Sequence, residues 1–298
     1  MATTAQSKPD ESISIGGGAR TGIRRDPNDE AQIRVDLAAA YQLIALNGMD
    51  DSIFTHISAR LPDGADGTKR FLLNPYGLMF DEVTASNLVT IDETGAIIDD
   101  PYGAGVNAAG FTIHSAVHMA RHDAACVLHT HTVAGVAVSS LQEGLLPLNQ
   151  WSAQFHEKIA FHDYEGIALD LDERERLVAD LGDLNVMLLR NHGTLICGRS
   201  VAEAVKLAFN LERSCKAQIA ALSTGLTPIP LDDDLATHTA AQYARAYDKT
   251  EAAGIDPEWD AMLRLLDRQA PAYADRTKTQ TRAKAGQTVT PNQQGRSL

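Results

Sequence analysis

The 298-residue chain is 44% hydrophobic and 22% charged, the balance of an ordinary globular protein long enough for a sizeable core. Its formal charge of -13 opposes nonspecific nucleic-acid binding, and its longest apolar run, near Ala38 to Leu46, is far too short to span a bilayer. Three cysteines without C-x-x-C spacing exclude a disulfide framework or thiolate metal site, and no secretory signal is visible, so a cytoplasmic location is expected.

Residues 1–25 are rich in Ser, Thr and Gly, show no apolar period and are expected to be disordered. Asp26-Pro27-Asn28-Asp29 reads as a helix cap, after which Ile33, Leu37, Ala40, Tyr41 and Ile44 recur at helical spacing up to Gly48. Strands are expected at 53–60, 71–74, 88–91 and 96–98, the last following the turn Glu93-Thr94-Gly95. Residues 111–121 then read as a helix, 125–130 as a buried strand and 133–141 as a helix closed by Gly144. A strand at 159–162 precedes a helix opened by the capping box Asp172-Glu173-Arg174-Glu175, and 185–190 is a second buried strand ending in Asn191-His192-Gly193. From Ser200 a long helix carries Val201, Val205, Ala208, Leu211, Cys215, Ile219 and Leu222 on one side, and helices near 232–248 and 257–268 complete the body. With no repeat, and no linker between 50 and 225, one α/β domain over 26–270 is expected, its helices packed on a mixed sheet. Residues 271–298 carry only basic charges after Asp275 and read as a disordered tail, with a tether for an anionic partner as the other reading.

The nucleophile-elbow, P-loop, dinucleotide and H-E-x-x-H signatures are absent, which leaves histidine. His114, His118, His122, His129 and His131 fall close together. On a strand, residues i and i+2 share a face, so His129 and His131 can point at one ion, or can be strand-end histidines bonded to backbone. His192, just past the second buried strand, is a candidate third ligand, and Gly193 would allow close backbone approach. Three imidazoles with an open fourth position describe a catalytic zinc-type site. His114, His118 and His122 share a helix face: they read as a second metal site, or as a buried His114 behind the ligands and an exposed His122. His156 and Glu157 form a proton-transfer pair by residue type, or belong to a surface loop.

Gly110-Phe111-Thr112-Ile113-His114-Ser115-Ala116-Val117, Arg121-His122-Asp123, His129-Thr130-His131-Thr132, Phe161-His162-Asp163-Tyr164-Glu165-Gly166 and Arg190-Asn191-His192-Gly193 occur in that order. Together with Phe71 to Leu78 and Glu82 to Ser86, they resemble the class II aldolase/adducin family, in its adducin-like branch, over about 28–225. The resemblance implies a single three-layer α/β/α domain with a mostly antiparallel central sheet and a homotetramer with sites between subunits. It also implies a divalent metal, zinc or else manganese or iron, on His129, His131 and His192. In such aldolases a glutamate moves the proton, and its place here is taken by Gly110. Of the positions that cradle a substrate phosphate, only Gly77 matches; the family's Gly-Asn pair is Thr55-His56 and its Ser-Ser pair is Ala108-Ala109. The expected substrate is therefore a small non-phosphorylated carbonyl or hydroxy-carboxylate compound, cleaved by a metal-dependent lyase whose proton work falls to His56, His156 or Glu157. The competing expectations are a non-catalytic adducin-like scaffold that retains the histidines and, third, a three-histidine iron oxygenase.

Overall fold

In the computed structural model, which describes residues 22–166 and 173–275, helix α1 (Glu30–Leu46) begins where the Asp29 carboxylate accepts the Ala31 and Gln32 amides. Strands β1 (His56–Leu61), β2 (Arg70–Leu73), β3 (Val89–Asp92) and β4 (Ile97–Asp99) form an antiparallel meander. Helix α2 (Ala108–Ala120) returns the chain to β5 (Cys126–Thr130), which pairs antiparallel with β1. After α3 (Val133–Ser139) and α4 (Gln150–Ala153), strand β6 (Ile159–His162) lies parallel to β7 (Val186–Leu189). Parallel neighbours need a crossover, and α5 (Glu173–Leu181) supplies it. β7 turns directly into β8 (Gly193–Gly198), which pairs with β5 and completes an eight-stranded sheet in the order β4-β3-β2-β1-β5-β8-β7-β6. The fold is thus the expected α/β class, with one parallel pair in an otherwise antiparallel sheet.

β8 is the one strand the sequence did not announce. Every residue from Gly193 to Gly198 is buried, so the segment lacks the period-two alternation that marks a half-exposed strand. Its existence also redefines His192, which lies in a tight turn rather than past a strand that simply ends.

Alternation divides the sheet. Ile57, Ala59, Leu128, Leu188 and Ile196 pack with Leu37 and Tyr41 of α1, with Val205 and Leu211 of α6 (Val201–Leu222), and with Trp259 of α8 (Pro257–Gln269). Val127, Met187, Leu189 and Leu195 face the other way, onto Ile113 and Val117 of α2 and Leu177 and Leu181 of α5. Each such aliphatic side chain contributes about 1.5–3 kcal/mol by leaving water. Helix α7 (Asp233–Ala253) packs on α4 and sets Tyr247 against the edge of this core. The cysteines are free and buried, and no described helix is long and apolar enough to cross a membrane.

Described residues on either side of the expected 26–270 also pack on the body. Arg25 donates to buried Asp260 at 2.8 Å, as does the Gly22 amide at 3.0 Å, because a fully buried carboxylate needs partners. Pro271–Ala274 form a 3-10 turn whose Tyr273 is fully buried and whose carbonyl accepts the Ala85 amide. Asp172 of the expected capping box, and most of both tails, lie outside the described residues.

Candidate metal centre

β1 reads His-Ile-Ser-Ala-Arg-Leu, so its even positions point to the α2 side while Ile57, Ala59 and Leu61 enter the core beneath α1. The start of β1 is tied down by Tyr41, whose hydroxyl accepts the Ile57 amide at 2.8 Å and donates to Asn74 at 2.9 Å. Across the register His56 is opposite His129 of β5, and both rings lie on that same α2 side, 5.3 Å apart.

His129 and His131 project together, as the i and i+2 spacing required, and the β7–β8 turn brings His192 to them. Asn191 takes a φ of 58° to make that turn. At Gly193 a Cβ would lie 2.4 Å from the Thr130 carbonyl and 3.2 Å from the His131 ring, so only glycine lets β8 close against β5 here. His131 Nε2 is 2.8 Å from His129 Nε2 and 2.9 Å from His192 Nε2.

The opposite nitrogens explain why those atoms meet as acceptors. His129 Nδ1 lies 2.9 Å from the Thr194 carbonyl, and His131 Nδ1 lies 2.9 Å from Asp51 Oδ2. Both partners only accept, so each Nδ1 carries a hydrogen, and it is Nε2 that each ring has to offer a cation as a lone pair. Burial first, then the neighbouring imidazoles, holds His129 well below the ordinary histidine pKa and His192 down to about 4. A proton can bridge only one pair of the three nitrogens at a time. A divalent ion can engage all of them, and oriented neutral imidazoles backed by a carbonyl and a carboxylate are the donor set it needs. The residues present fit the metal.

Around the triad, Gly110 in the first turn of α2 is occupied from outside: a Cβ there would meet His56 Cδ2 at 2.3 Å and Nε2 at 2.6 Å. The His56 ring therefore fills the space a side chain at 110 would use. Ala108 and Ala109 open the same helix. Gly77, with a φ of 87°, sits in the loop after β2 at this end of the sheet, where the Tyr76 amide donates to the Gly105 carbonyl ahead of α2. His114 lies behind His56, 2.8 Å from its Nδ1, and is buried; it does not touch the triad nitrogens. His118 faces the sheet beside His114, whereas α2 ends at Ala120 and leaves His122 exposed, so the three do not form a second metal site.

His156 and Glu157 precede β6, whose first residue pairs with the first of β7, whereas His192 follows the last. They therefore occupy the end of the sheet edge opposite the triad, and His156 Nε2 faces Asp233 at 3.9 Å. In one chain they do not reach the metal centre. Two residues that do were missed, and so was a third, Ser58, which bonds His114 behind the site. Asp51 and the Thr194 carbonyl come from a loop and from the unannounced β8, without sequence signal. Ser58 was legible, because it breaks the apolar expectation of a buried strand on the same face as His56.

The family model described as Class II Aldolase and Adducin N-terminal domain matches residues 35–219. A crystal structure of an aldolase II superfamily protein from Pseudomonas syringae is 48% identical, with a TM-score of 0.75 over 83% of this chain and 96% of that one. An L-fuculose 1-phosphate aldolase from Glaciozyma antarctica is 27% identical, with a TM-score of 0.69 over 81% of this chain and 92% of that one. Alpha-adducin of Rattus norvegicus is 38% identical over 80% of this chain, which spans 33% of the adducin.

Proposed function

Since the chain belongs to the class II aldolase and adducin family, we propose that it is a divalent-metal-dependent lyase that cleaves a carbon–carbon bond, by aldol cleavage or decarboxylation, in a small non-phosphorylated carbonyl or hydroxy-carboxylate compound. Family membership supports an aldolase-type lyase. The observation that carries the finer reading is the inward meeting of three Nε2 atoms at 2.8 and 2.9 Å, with the outer nitrogens of His129 and His131 already committed. A bound divalent ion, zinc in this proposal and otherwise manganese or iron, supplies Lewis-acid polarisation of a substrate oxygen.

The chain's own residues set the rest. His129, His131 and His192 hold the ion, and Asp51 and the Thr194 carbonyl orient two of them. Gly110 cannot handle a proton, and His56 Nε2, in the space a side chain at 110 would fill, is the proposed proton-handling atom. Ala108 and Ala109 bring no side-chain donors, and the Thr55 hydroxyl is buried, which supports a ligand without a phosphate. Val133, Phe54 and Tyr164 flank the triad at 87%, 55% and 55% exposure, and we propose that a second copy covers them in a homo-oligomer, the tetramer of the sequence reading.

The test is metal analysis of the purified full chain, joined to a screen of α-hydroxy ketones, aldols and α-keto acids after loading with zinc, manganese or iron. About one ion per chain and metal-dependent turnover are expected. Native protein that takes up metal but turns over no such compound would support a second reading, an adducin-like scaffold, which the 38% identity to alpha-adducin favours.

A further inference from the structure

Four buried side chains form a hydrogen-bonded file between α2 and β1. His118 Nδ1 lies 3.0 Å from the Ala124 carbonyl, His118 Nε2 lies 2.7 Å from Ser58 Oγ, Ser58 Oγ lies 2.6 Å from His114 Nδ1, and His114 Nε2 lies 2.8 Å from His56 Nδ1. The four are at most 3% exposed.

The hydrogens in this file have only one consistent placement for neutral rings. A carbonyl only accepts, so His118 Nδ1 carries a hydrogen and its Nε2 accepts. Ser58 has a single hydroxyl hydrogen, which goes to His118, so its oxygen takes the hydrogen of His114 Nδ1. His114 Nε2 is then an acceptor, His56 Nδ1 donates to it, and His56 Nε2 is left with a lone pair. All three rings are buried and none has a carboxylate among its hydrogen-bond partners to hold a second proton, so neutral rings are the resting state. No described residue hydrogen-bonds His56 Nε2, and Gly110 leaves it uncovered where a Cβ would stand 2.6 Å away.

We propose that Ser58 and His118, acting through His114, are positioning residues that lock His56 as a hydrogen-bond acceptor, so that a ligand held at the triad is selected for a hydroxyl that donates to His56 Nε2. The ligand half of this proposal rests on the metal-site reading above; the tautomer lock does not.

Neutron diffraction from deuterium-exchanged crystals of the metal-free full chain at pH 7 reads the lock directly. Deuterium is expected on Nδ1 of His118, His114 and His56 and on none of their Nε2 atoms; deuterium on His56 Nε2 overturns the lock. In Ser58→Ala the order is released, and His56 is expected to show mixed occupancy while His118 is unchanged. If that variant does not crystallise, the wild-type maps still decide. For the ligand half, the zinc-loaded full chain is titrated calorimetrically with glycolate and with methoxyacetate, its O-methyl ether lacking the donor. The expected preference for glycolate is about tenfold, one net hydrogen bond, falling to about threefold or less in Ser58→Ala at unchanged zinc content. Equal binding of the two acids by wild type overturns the ligand half. Failure to take up zinc overturns it too, together with the metal-dependent lyase reading, while the neutron maps independently judge the lock.

Discussion

Two sets of histidines share one face of the sheet and adjoin where His56 lies opposite His129, and they meet their polar demands in opposite ways. In the file from His118 to His56, each contact pairs one hydrogen with one lone pair, and the side chains are sealed from water. In the triad the hydrogens point outward, to Thr194 and Asp51, and lone pairs meet inward at 2.8 Å. Burial alone does not distinguish them, since His129 is as deeply buried as His114. What distinguishes them is that each contact within the file pairs a hydrogen with a lone pair, leaving only His56 Nε2 open at its end, whereas the triad turns lone pairs on one another, and such a set is where an external cation belongs.

The largest expected effect separates the two sets by metal content. His129→Ala removes one of three ligands and should weaken zinc binding by about 4 kcal/mol, a thousandfold or so, as read by chelator competition. Ser58→Ala should leave zinc content at wild-type level although it breaks the file. If both variants lose zinc equally, the two sets are one cooperative unit and the contrast fails.

Acid stability of the metal-free protein probes the file itself. A neutral buried histidine has a folded pKa below the unfolded value of about 6.5. Its stability is therefore complete above about 6.5 and is lost as the pH falls toward the folded value, which for His56 and His118 is about 3. The three rings of the file, with His114, remove about 4 kcal/mol per pH unit in that window, at about 1.4 kcal/mol each, in addition to what His129 and His192, also lowered by burial, remove in the metal-free protein. Urea midpoints should drop steeply between pH 6 and pH 5, before most carboxylates titrate, and His118→Asn should reduce the pH slope of the unfolding free energy by about 1.4 kcal/mol per pH unit. Midpoints that stay flat to pH 5 would show that the rings are charged in the native protein.

Gly110→Ala sharpens the boundary between the sets. Its Cβ would meet His56 Cδ2 at 2.3 Å, so the ring must move and its bond to His114 must stretch or break. A loss of about 1–3 kcal/mol in urea stability is expected, with zinc content unchanged because no ligand is displaced. Unchanged stability would mean that His56 has room to spare, and the spatial exchange between positions 56 and 110 would be lost.

How much of this was legible follows from which interactions are local. The i and i+2 spacing of His129 and His131 placed both on one face, and the period of β1 put His56 and Ser58 together, because strand geometry alone dictates those relations. The competition between Gly110 and His56 joins positions far apart in the chain, and no periodicity encodes it. β8 was hidden because burial on both faces erases alternation, and with it went the Thr194 carbonyl. His156 and Glu157 were attractive by residue type, but type without placement put them at the wrong end of the sheet edge. Arg25 and Tyr273 lay in segments whose composition signals disorder, yet Arg25 meets the buried Asp260 carboxylate of α8 and Tyr273 is itself buried, its carbonyl accepting the Ala85 amide.

Asp51 is the smallest and most discriminating case, because it belongs to the triad in function while standing half in solvent. Its carboxylate is 47% exposed and accepts from His131 Nδ1 at 2.9 Å. A neutral amide in its place still offers an oxygen to that hydrogen, but without the charge that raises the ligand's basicity. Asp51→Asn should therefore weaken zinc binding by about tenfold while changing urea stability by no more than about 0.5 kcal/mol. Crystals of the variant should keep the His131 ring in place. If instead affinity holds and His131 rotates away, then the turn containing His192 and the backbone of β8 set the triad, and the outward hydrogens are a consequence of the inward geometry rather than its cause.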